Sequence, residues 1–309
     1  MPAAAPAPLD RPIQIFRTPT VLGGELVGEL RDANATLGNR AAMHERLAED
    51  GYLLLRSVIP REPILAARRE VMLLLQAAGQ LALGSDPMDG IAAPEAMGLS
   101  PHDRSFSSGP AFRRVVEGPE IFGLFETLLG GPVLTYEEKW LRVSRPACFT
   151  GAHLDIVYMG RGTQELYTCW IPYGDVPVAM GPLAILPQSH RHPALAQVRA
   201  TYGRSDYDTD GYDGWFSTDA AEFVRAGLRW GSTDFAAGDV ILFGMQLMHG
   251  SLANTTDRIR LSSDTRYQRA DQPVDPRWYG PGASGHARPA TPRTMAEMRR
   301  QWNLPMPLA

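Results

Sequence analysis

Cysteine and long apolar runs are both scarce in this chain. Only two of its 309 residues are cysteines, Cys148 and Cys169, too few for a disulfide framework. The longest segment free of charged residues and of histidine, residues 71–85, is shorter than the roughly 20 apolar residues that a membrane-spanning helix needs, and it contains two glutamines. Both absences favour a reducing compartment and no membrane partner, so a cytoplasmic location is expected.

Neither sign of charge dominates the composition. The chain has 30 lysines and arginines against 34 aspartates and glutamates, a formal net charge of −4 at pH 7. A balance this even gives no electrostatic reason to expect a nucleic acid or an anionic membrane surface as partner. A small molecule is therefore the expected partner, while the sequence does not indicate an oligomeric state.

The first twelve residues differ in composition from the rest. Proline and alanine dominate residues 1–12, which lack the basic start and apolar centre of a signal peptide. Such a segment has too few apolar groups to form a core, so we predict a disordered tail there. The remainder, residues 13–309, is predicted to form a single domain.

Helical periodicity is concentrated before residue 130, and strand patterns follow it. Residues 39–130 carry apolar residues at helical spacing around one short strand, whereas residues 132–268 alternate short strands with glycine and proline turns. Residues 269–309 form a proline- and glycine-rich C-terminal extension with one short helix. Short strands at this spacing are typical of a jelly roll. We therefore predict a mainly β fold with a helical N-terminal part, a cupin-like double-stranded β-helix.

The individual segments follow from the same patterns. Helices are predicted at 41–49, 62–79, within 110–129 as a pair, and at 294–302; strands are predicted at 51–55, 133–143, 152–158, 167–171, 183–186, 239–243 and 258–267.

A long insertion, residues 190–235, separates two of the predicted strands. Its aromatic residues either close over a substrate as a lid or pack the insertion onto the barrel, and both interpretations stay open. They are Tyr207, Tyr212, Trp215 and Phe216. Its aspartates lack the glycine and glutamate spacing of a calcium loop and predict an exposed loop. They are Asp206, Asp208, Asp210 and Asp213.

A histidine and a carboxylate stand two positions apart in the segment GAHLDIVY, as His153 and Asp155. On the predicted strand, side chains at i and i+2 project from the same face, so this imidazole and carboxylate are expected side by side. A histidine-x-acid pair is expected about once by chance in such a composition, so the pair alone does not define a metal site. A third ligand is needed.

His249 is the candidate for the third ligand. It follows the apolar segment GDVILFGMQLM, shares the parity of Ile241 and Phe243, and is expected at the end of that buried row. Two histidines and one carboxylate form the facial triad that leaves three coordination positions open on Fe(II). Those open positions suit a chelating cosubstrate and O2.

Arg260, eleven residues after His249, supplies a candidate anchor for that cosubstrate. It lies on the polar face of the next predicted strand, and polar groups inside a barrel are costly unless they bind something. The planar guanidinium matches a carboxylate through two parallel hydrogen bonds. 2-Oxoglutarate offers a keto-acid end for the iron and a distal carboxylate for such an arginine.

The order of these motifs resembles the phytanoyl-CoA dioxygenase family. The resemblance rests on HLD, then GDVILF, then HGSLANTTDRIR, with supporting matches at DGYLLLRSVIP, LYTCWIPYGDV and GPLAILPQSHR. Together these motifs cover about residues 47–268. Members of the family are Fe(II)- and 2-oxoglutarate-dependent oxygenases built on a double-stranded β-helix, and the same fold and cofactors are implied here.

The resemblance also assigns roles to individual residues. It implies His153, Asp155 and His249 as the iron ligands and catalytic centre, and Arg260 as the partner of the distal carboxylate. It further implies that the Ser251 hydroxyl lies near that carboxylate and that Trp170 lines the pocket. In some relatives a lysine also helps to hold 2-oxoglutarate. Its possible substitutes here are Lys139, Arg142 and Arg104.

The expected reaction is hydroxylation of an unactivated C–H bond of a small molecule, with O2 consumed and succinate and CO2 released. Desaturation, epimerisation and ring closure use the same oxidant and stay open, and the substrate is not indicated. A zinc-dependent hydrolase or isomerase on the same barrel is one alternative, but it leaves Arg260 unexplained. A catalytically silent binding module is the other, and an intact triad argues against it.

Overall fold

The computed structural model describes residues 11–96, 105–287 and 291–307. Most of the predicted tail, 1–12, and the candidate Arg104 therefore lie outside the described residues. Within them Pro12 already begins the first strand. The strands are β1 (Pro12–Ile15), β2 (Thr18–Val21), β3 (Val27–Glu29), β4 (Tyr52–Leu55), β5 (Val133–Thr135), β6 (Trp140–Ser144), β7 (Tyr167–Pro172), β8 (Leu183–Ile185), β9 (Trp230–Ser232), β10 (Val240–Gly244), β11 (His249–Ser251) and β12 (Arg260–Arg269).

The helices lie before, between and after the strands. They are α1 (Arg40–Asp50), α2 (Arg61–Ala77), α3 (Pro110–Val116), α4 (Pro119–Leu129), α5 (Ile156–Met159), α6 (Ala196–Ala200), α7 (Tyr207–Asp210), α8 (Ala220–Arg225) and α9 (Met295–Gln301). The predicted helices in the N-terminal part and near residue 294 are confirmed. Local capping explains several ends: α4 starts at a proline and ends at Gly130 in the left-handed conformation, and Thr294 and Glu297 form a capping box on α9.

Two sheets form the jelly roll. The larger has the strand order β4-β10-β7-β12-β5, with β6 also paired to β12, and the smaller has the order β11-β8-β9-β3. β4 confirms the strand predicted at 51–55. Because β3 and β4 both precede residue 132, the sheets include strands from outside the segment 132–268. The predicted strand 133–143 is wrong as one element, because it divides into β5 and β6.

Strand β4 shows how the layers are held together. Its alternate residues Leu53 and Leu55 pack into a cluster with α1 to α4, which covers the outer face of the larger sheet. Tyr52 and Leu54 point the other way, into a cluster with Trp170 and side chains of the smaller sheet. Both faces of β4 are therefore buried, which explains why an unbroken apolar run forms this strand.

The insertion is joined to the C-terminal extension by a buried polar network. Asp208 accepts hydrogen bonds from Arg277 and from His286 Nδ1, the latter at 2.9 Å, and Arg277 also binds Asp275. The Asp208 side chain is only 4% exposed, so the prediction that the aspartate cluster is an exposed loop is wrong at this residue.

Among the described residues, no helix combines the length and apolarity needed to cross a membrane.

Candidate metal centre and its two cavities

His153, Asp155 and His249 come together in the interior. The Nε2 atoms of both histidines lie 3.8 Å from Asp155 Oδ1, and the potential ligand atoms all lie within 4.8 Å of one another. All three residues are buried. This is the only cluster of at least three potential metal ligands within the described parts of the chain, and it has the composition of a facial triad.

The two histidines are held by a direct backbone pairing. The His153 amide donates to the His249 carbonyl at 2.9 Å, and the His249 amide donates to the His153 carbonyl at 3.1 Å. Asp155, in contrast, has helical dihedral angles and precedes α5. The prediction of a strand over 152–158 is therefore wrong: the pairing ends after His153, and a turn of chain brings the carboxylate to the imidazoles.

His249 also reaches the site differently from the prediction. β10 ends at Gly244 in the larger sheet, and a turn separates it from β11 in the smaller sheet, where His249 is the first residue. One continuous strand from Ile241 to His249 is therefore wrong, although the predicted burial of this row is confirmed. The position after His249 requires glycine, because a Cβ on Gly250 would lie 2.7 Å from the Thr150 carbonyl oxygen. Only glycine lets β11 pass this close to the segment at Thr150.

Backbone carbonyls orient both imidazoles. His153 Nδ1 lies 2.9 Å from the Gly151 carbonyl oxygen, and His249 Nδ1 lies 3.0 Å from that of Leu247. Each Nδ1 therefore carries the proton, and each Nε2 presents its lone pair to the cluster. Burial lowers the pKa of both histidines, that of His153 to about 3, so the imidazoles are neutral and able to bind a metal.

Both oxygens of Asp155 have donors from the larger sheet. Thr168 Oγ1 donates to Asp155 Oδ2 at 2.6 Å, and Arg266 Nη2 lies 3.1 Å from Oδ1. Burial alone would raise the pKa of Asp155, but the charge of Arg266 lowers it below the usual range. The carboxylate is therefore ionised and directs Oδ1 to the histidines.

A small cavity of about 40 Å3 adjoins the cluster. Its walls include His153, His249, Ser251, Trp170 and Arg260, so the structure brings every predicted site residue except Asp155 to one cavity. Ser251 Oγ accepts a hydrogen bond from the Thr150 amide at 2.8 Å, which leaves its hydroxyl proton able to donate. The Arg260 guanidinium lies 5.9 Å from the Trp170 ring centroid.

Arg260 is a buried cation without a carboxylate partner among the described residues. It donates to Ser262 Oγ, while its buried Nε has no hydrogen-bond partner. Burial, and then the charge of Arg142, lowers its pKa to about 10, so it remains cationic at neutral pH. A buried cation with an unused donor fits a small anion in this cavity.

A larger cavity of about 300 Å3 meets the same cluster from the other side. His153, Thr150 and Arg142 border both cavities. The larger one is lined further by Trp140, Asp155, Tyr158, Met159, Tyr207, Asp213, Gly214, Trp215, Arg266 and His286. Of the insertion's aromatic residues, Tyr207 and Trp215 thus face this cavity, whereas Tyr212 and Phe216 pack in the core.

Several lining residues were not predicted from the sequence, among them Arg266 and His286. Arg266 is one of the polar residues that alternate along the predicted strand 258–267, and nothing near His286 in the sequence indicates a role for it. Arg142, one of the possible lysine substitutes, borders both cavities and binds Asp264 through two hydrogen bonds of 2.7 and 2.8 Å. Lys139 instead points away, to Thr135 and Tyr136.

The site combines two histidines and one carboxylate beside a buried arginine, within a jelly roll. This combination is typical of mononuclear metal sites with open coordination positions. The particular family follows from comparison with family models. The phytanoyl-CoA dioxygenase model matches residues 47–262, more than half of the chain. The chain therefore belongs to the phytanoyl-CoA dioxygenase family, and it is an enzyme of the oxidoreductase class.

Individual relatives are more distant. The chain is 25% identical over 254 residues to 1-deoxypentalenic acid 11-beta-hydroxylase of Streptomyces arenae, covering 77% of this chain and 84% of the relative. The carbocyclase SnoK of nogalamycin biosynthesis superposes with a TM-score of 0.52 and 23% identity over 74% of this chain and 84% of that chain. The epimerase SnoN, in complex with Fe3+, alpha ketoglutarate and nogalamycin RO, gives 0.53 and 20% over 81% and 96%. These structures share the fold.

Proposed function

We propose that the protein is an Fe(II)- and 2-oxoglutarate-dependent dioxygenase that hydroxylates an unactivated C–H bond of a small molecule. Iron bound with 2-oxoglutarate and O2 supplies the oxidising power, with succinate and CO2 as co-products. Membership of a dioxygenase family and the hydroxylase relative both support this proposal. So does SnoN, whose solved complex contains iron and alpha ketoglutarate.

The observation that carries the proposal is the pairing of the metal cluster with Arg260 in one cavity. His153, Asp155 and His249 would hold the iron. Arg260, with its unpartnered Nε, would bind the distal carboxylate of 2-oxoglutarate, and the Ser251 hydroxyl would donate to the same group. A zinc hydrolase would need the three ligands but gives no reason for a buried arginine without a partner.

The two cavities divide the remaining tasks. The small cavity, about 40 Å3, would hold the distal part of the cosubstrate away from water. The larger cavity, about 300 Å3, lies at the lower end of the range for small-molecule sites, so it would enclose a compact substrate. Its aromatic walls, Trp140, Tyr158, Tyr207 and Trp215, would orient that substrate by stacking and apolar contact.

The test is anaerobic titration of the metal-free protein with Fe(II) and 2-oxoglutarate, followed by visible absorption. The weak charge-transfer band of a keto acid chelated to ferrous iron is expected. Arg260→Ala should weaken 2-oxoglutarate binding about 100-fold, roughly 2.7 kcal/mol, because a buried charge pair loses one partner. Arg258→Ala is the matched control, since Arg258 is a half-exposed neighbour that binds the Asp89 carbonyl, and it should bind 2-oxoglutarate like the wild type.

Other outcomes would contradict the proposal. Tight zinc binding with no band from Fe(II) and 2-oxoglutarate would favour a hydrolase or isomerase. Failure to bind either metal would favour a silent binding module. Equal loss of binding in Arg260→Ala and Arg258→Ala would remove the role of Arg260 as the specific anchor.

A further inference from the structure

Arg266 is an arginine in direct contact with a proposed metal ligand. Its Nη2 lies 3.1 Å from Asp155 Oδ1, the same oxygen that faces both histidine Nε2 atoms. The side chain is only 3% exposed. A metal bound to the cluster would therefore share this oxygen with a guanidinium already in place.

The position of Arg266 is fixed from several sides. Its Nη1 donates to Asp264 Oδ2 at 2.8 Å and to the Asp264 carbonyl, and its guanidinium packs 4.5 Å from the Trp140 ring centroid. In the register of β7 and β12, Arg266 lies opposite Thr168, which binds the other oxygen of Asp155. One cross-strand pair of the rigid larger sheet therefore holds both carboxylate oxygens.

The hydrogen-bond partners of Asp155 have the opposite effect on the electron density of their ligand from the partners of the two histidines. Carbonyl oxygens accept from the imidazole Nδ1 atoms of His153 and His249, which raises the basicity of these ligands and favours metal binding. Asp155 has only donors, the hydroxyl of Thr168 and the cation of Arg266. A cation beside a ligand oxygen withdraws charge from it and repels an incoming metal ion.

We propose that Arg266 is the resident counter-ion of Asp155: it compensates the buried carboxylate while the metal is absent and, by competing for Oδ1, weakens metal binding. A buried carboxylate without a cation is costly, and the two adjacent imidazoles are neutral. Arg266 is thus a positioning residue that keeps the empty site folded and makes the metal exchangeable. This inference rests on the proposed metal-dependent function.

The test compares Arg266→Met with the wild type, using Co(II) as the probe. Arg266→Met keeps an unbranched apolar stem but removes the cation, including the guanidinium that packs on Trp140. The metal-free variant is expected to melt several degrees lower, and its Co(II) affinity, from competition with a chelating indicator, is expected to be about tenfold tighter. The Co(II) d–d spectrum should also change, because one carboxylate oxygen loses its donor.

Two further variants make the result specific. Arg269→Met removes a partly exposed arginine of the same strand, which forms an ion pair with Asp271, and should leave the Co(II) affinity unchanged. Arg266→Lys keeps a cation without the planar fork and should fall between wild type and Arg266→Met; it serves if the methionine variant does not fold.

The failures are distinguishable. A wild-type protein that does not bind Co(II) would overturn the proposed function itself. A wild type that binds Co(II), with Arg266→Met binding equally or more weakly, would overturn the counter-ion role alone, as would an unchanged melting temperature of the metal-free variant.

Discussion

Two cavities meet at His153, one of about 40 Å3 and one of about 300 Å3. The small cavity is bounded by strands of both sheets, including β7, β11 and β12, so the backbone ladders fix its walls. The larger cavity is bounded on its outer side by Tyr207 and Trp215 of the insertion and His286 of the C-terminal extension. The proposed cosubstrate site thus belongs to the jelly roll, whereas the proposed substrate site combines jelly-roll residues such as Trp140 and Arg266 with an outer wall from the insertion and the extension.

The segment that the family model matches, residues 47–262, contains Ser251 and Arg260 of the small cavity as well as Tyr207 and Trp215 of the larger one, but neither Arg266 nor His286. A barrel can keep one pocket for a common cosubstrate while the segments around it vary to suit different substrates. The comparison predicts that substitutions in the two cavities have separable effects, which the following variants test.

The largest effect is expected at the proposed metal cluster, beside which the two cavities lie. Asp155→Ala should reduce turnover by roughly three orders of magnitude, about 4 kcal/mol of activation free energy, because the metal loses its anionic ligand. Succinate formed from 2-oxoglutarate measures the loss, and circular dichroism checks the fold. Asp257→Ala removes an exposed carboxylate as a control. A variant that decarboxylates 2-oxoglutarate at the wild-type rate would exclude Asp155 as a ligand.

The same contrast separates what the sequence predicts from what it does not. His153, Asp155, His249 and Arg260 lie at fixed spacings in short motifs, and the structure brings them together. The local geometry was predicted less well: Asp155 reaches the cluster through helical backbone, and His249 begins a new strand in the other sheet. Different backbone conformations can lead to the same arrangement of side chains. Motif spacing therefore predicted the candidate ligands but not the strands or helices that carry them.

The outer wall of the larger cavity was harder to predict because its contacts are long-range. Asp208 and His286 are 78 residues apart yet form a hydrogen bond, and nothing local to either residue indicates the other. A run of aspartates was therefore interpreted as an exposed loop. Only folding shows that Asp208 joins the insertion to the extension, and that His286 consequently lines the cavity.

Breaking the junction that Asp208 forms with Arg277 and His286 is expected to have an intermediate effect, confined to the larger cavity. Asp208→Ala should lower the free energy of unfolding by about 2 kcal/mol, because His286 and one side of Arg277 lose a buried acceptor while Arg277 keeps Asp275. Urea denaturation measures the change. Asp271→Ala, which removes an exposed partner of Arg269, should cost less than about 1 kcal/mol. Equal losses would mean that the junction contributes no more than a surface ion pair.

The junction variant also tests whether the cavities are independent. If the small cavity belongs to the barrel, Asp208→Ala should bind 2-oxoglutarate with Fe(II) as tightly as the wild type despite its lower stability. A parallel loss of cosubstrate affinity would show that the insertion and the extension also support the small cavity.

The smallest and most specific effect compares one side chain from each cavity. Ser251→Ala should weaken 2-oxoglutarate binding about tenfold, close to 1.4 kcal/mol, because one hydrogen bond to the carboxylate is lost. Trp215→Ala should leave that affinity unchanged, although Trp215 packs against Gly151, two residues before a metal ligand. Anaerobic titration of both variants, with Fe(II) present, measures this. If Trp215→Ala weakens 2-oxoglutarate binding as much as Ser251→Ala, the two cavities act as one site, and the division between a cosubstrate pocket in the jelly roll and a separate substrate cavity fails for this enzyme.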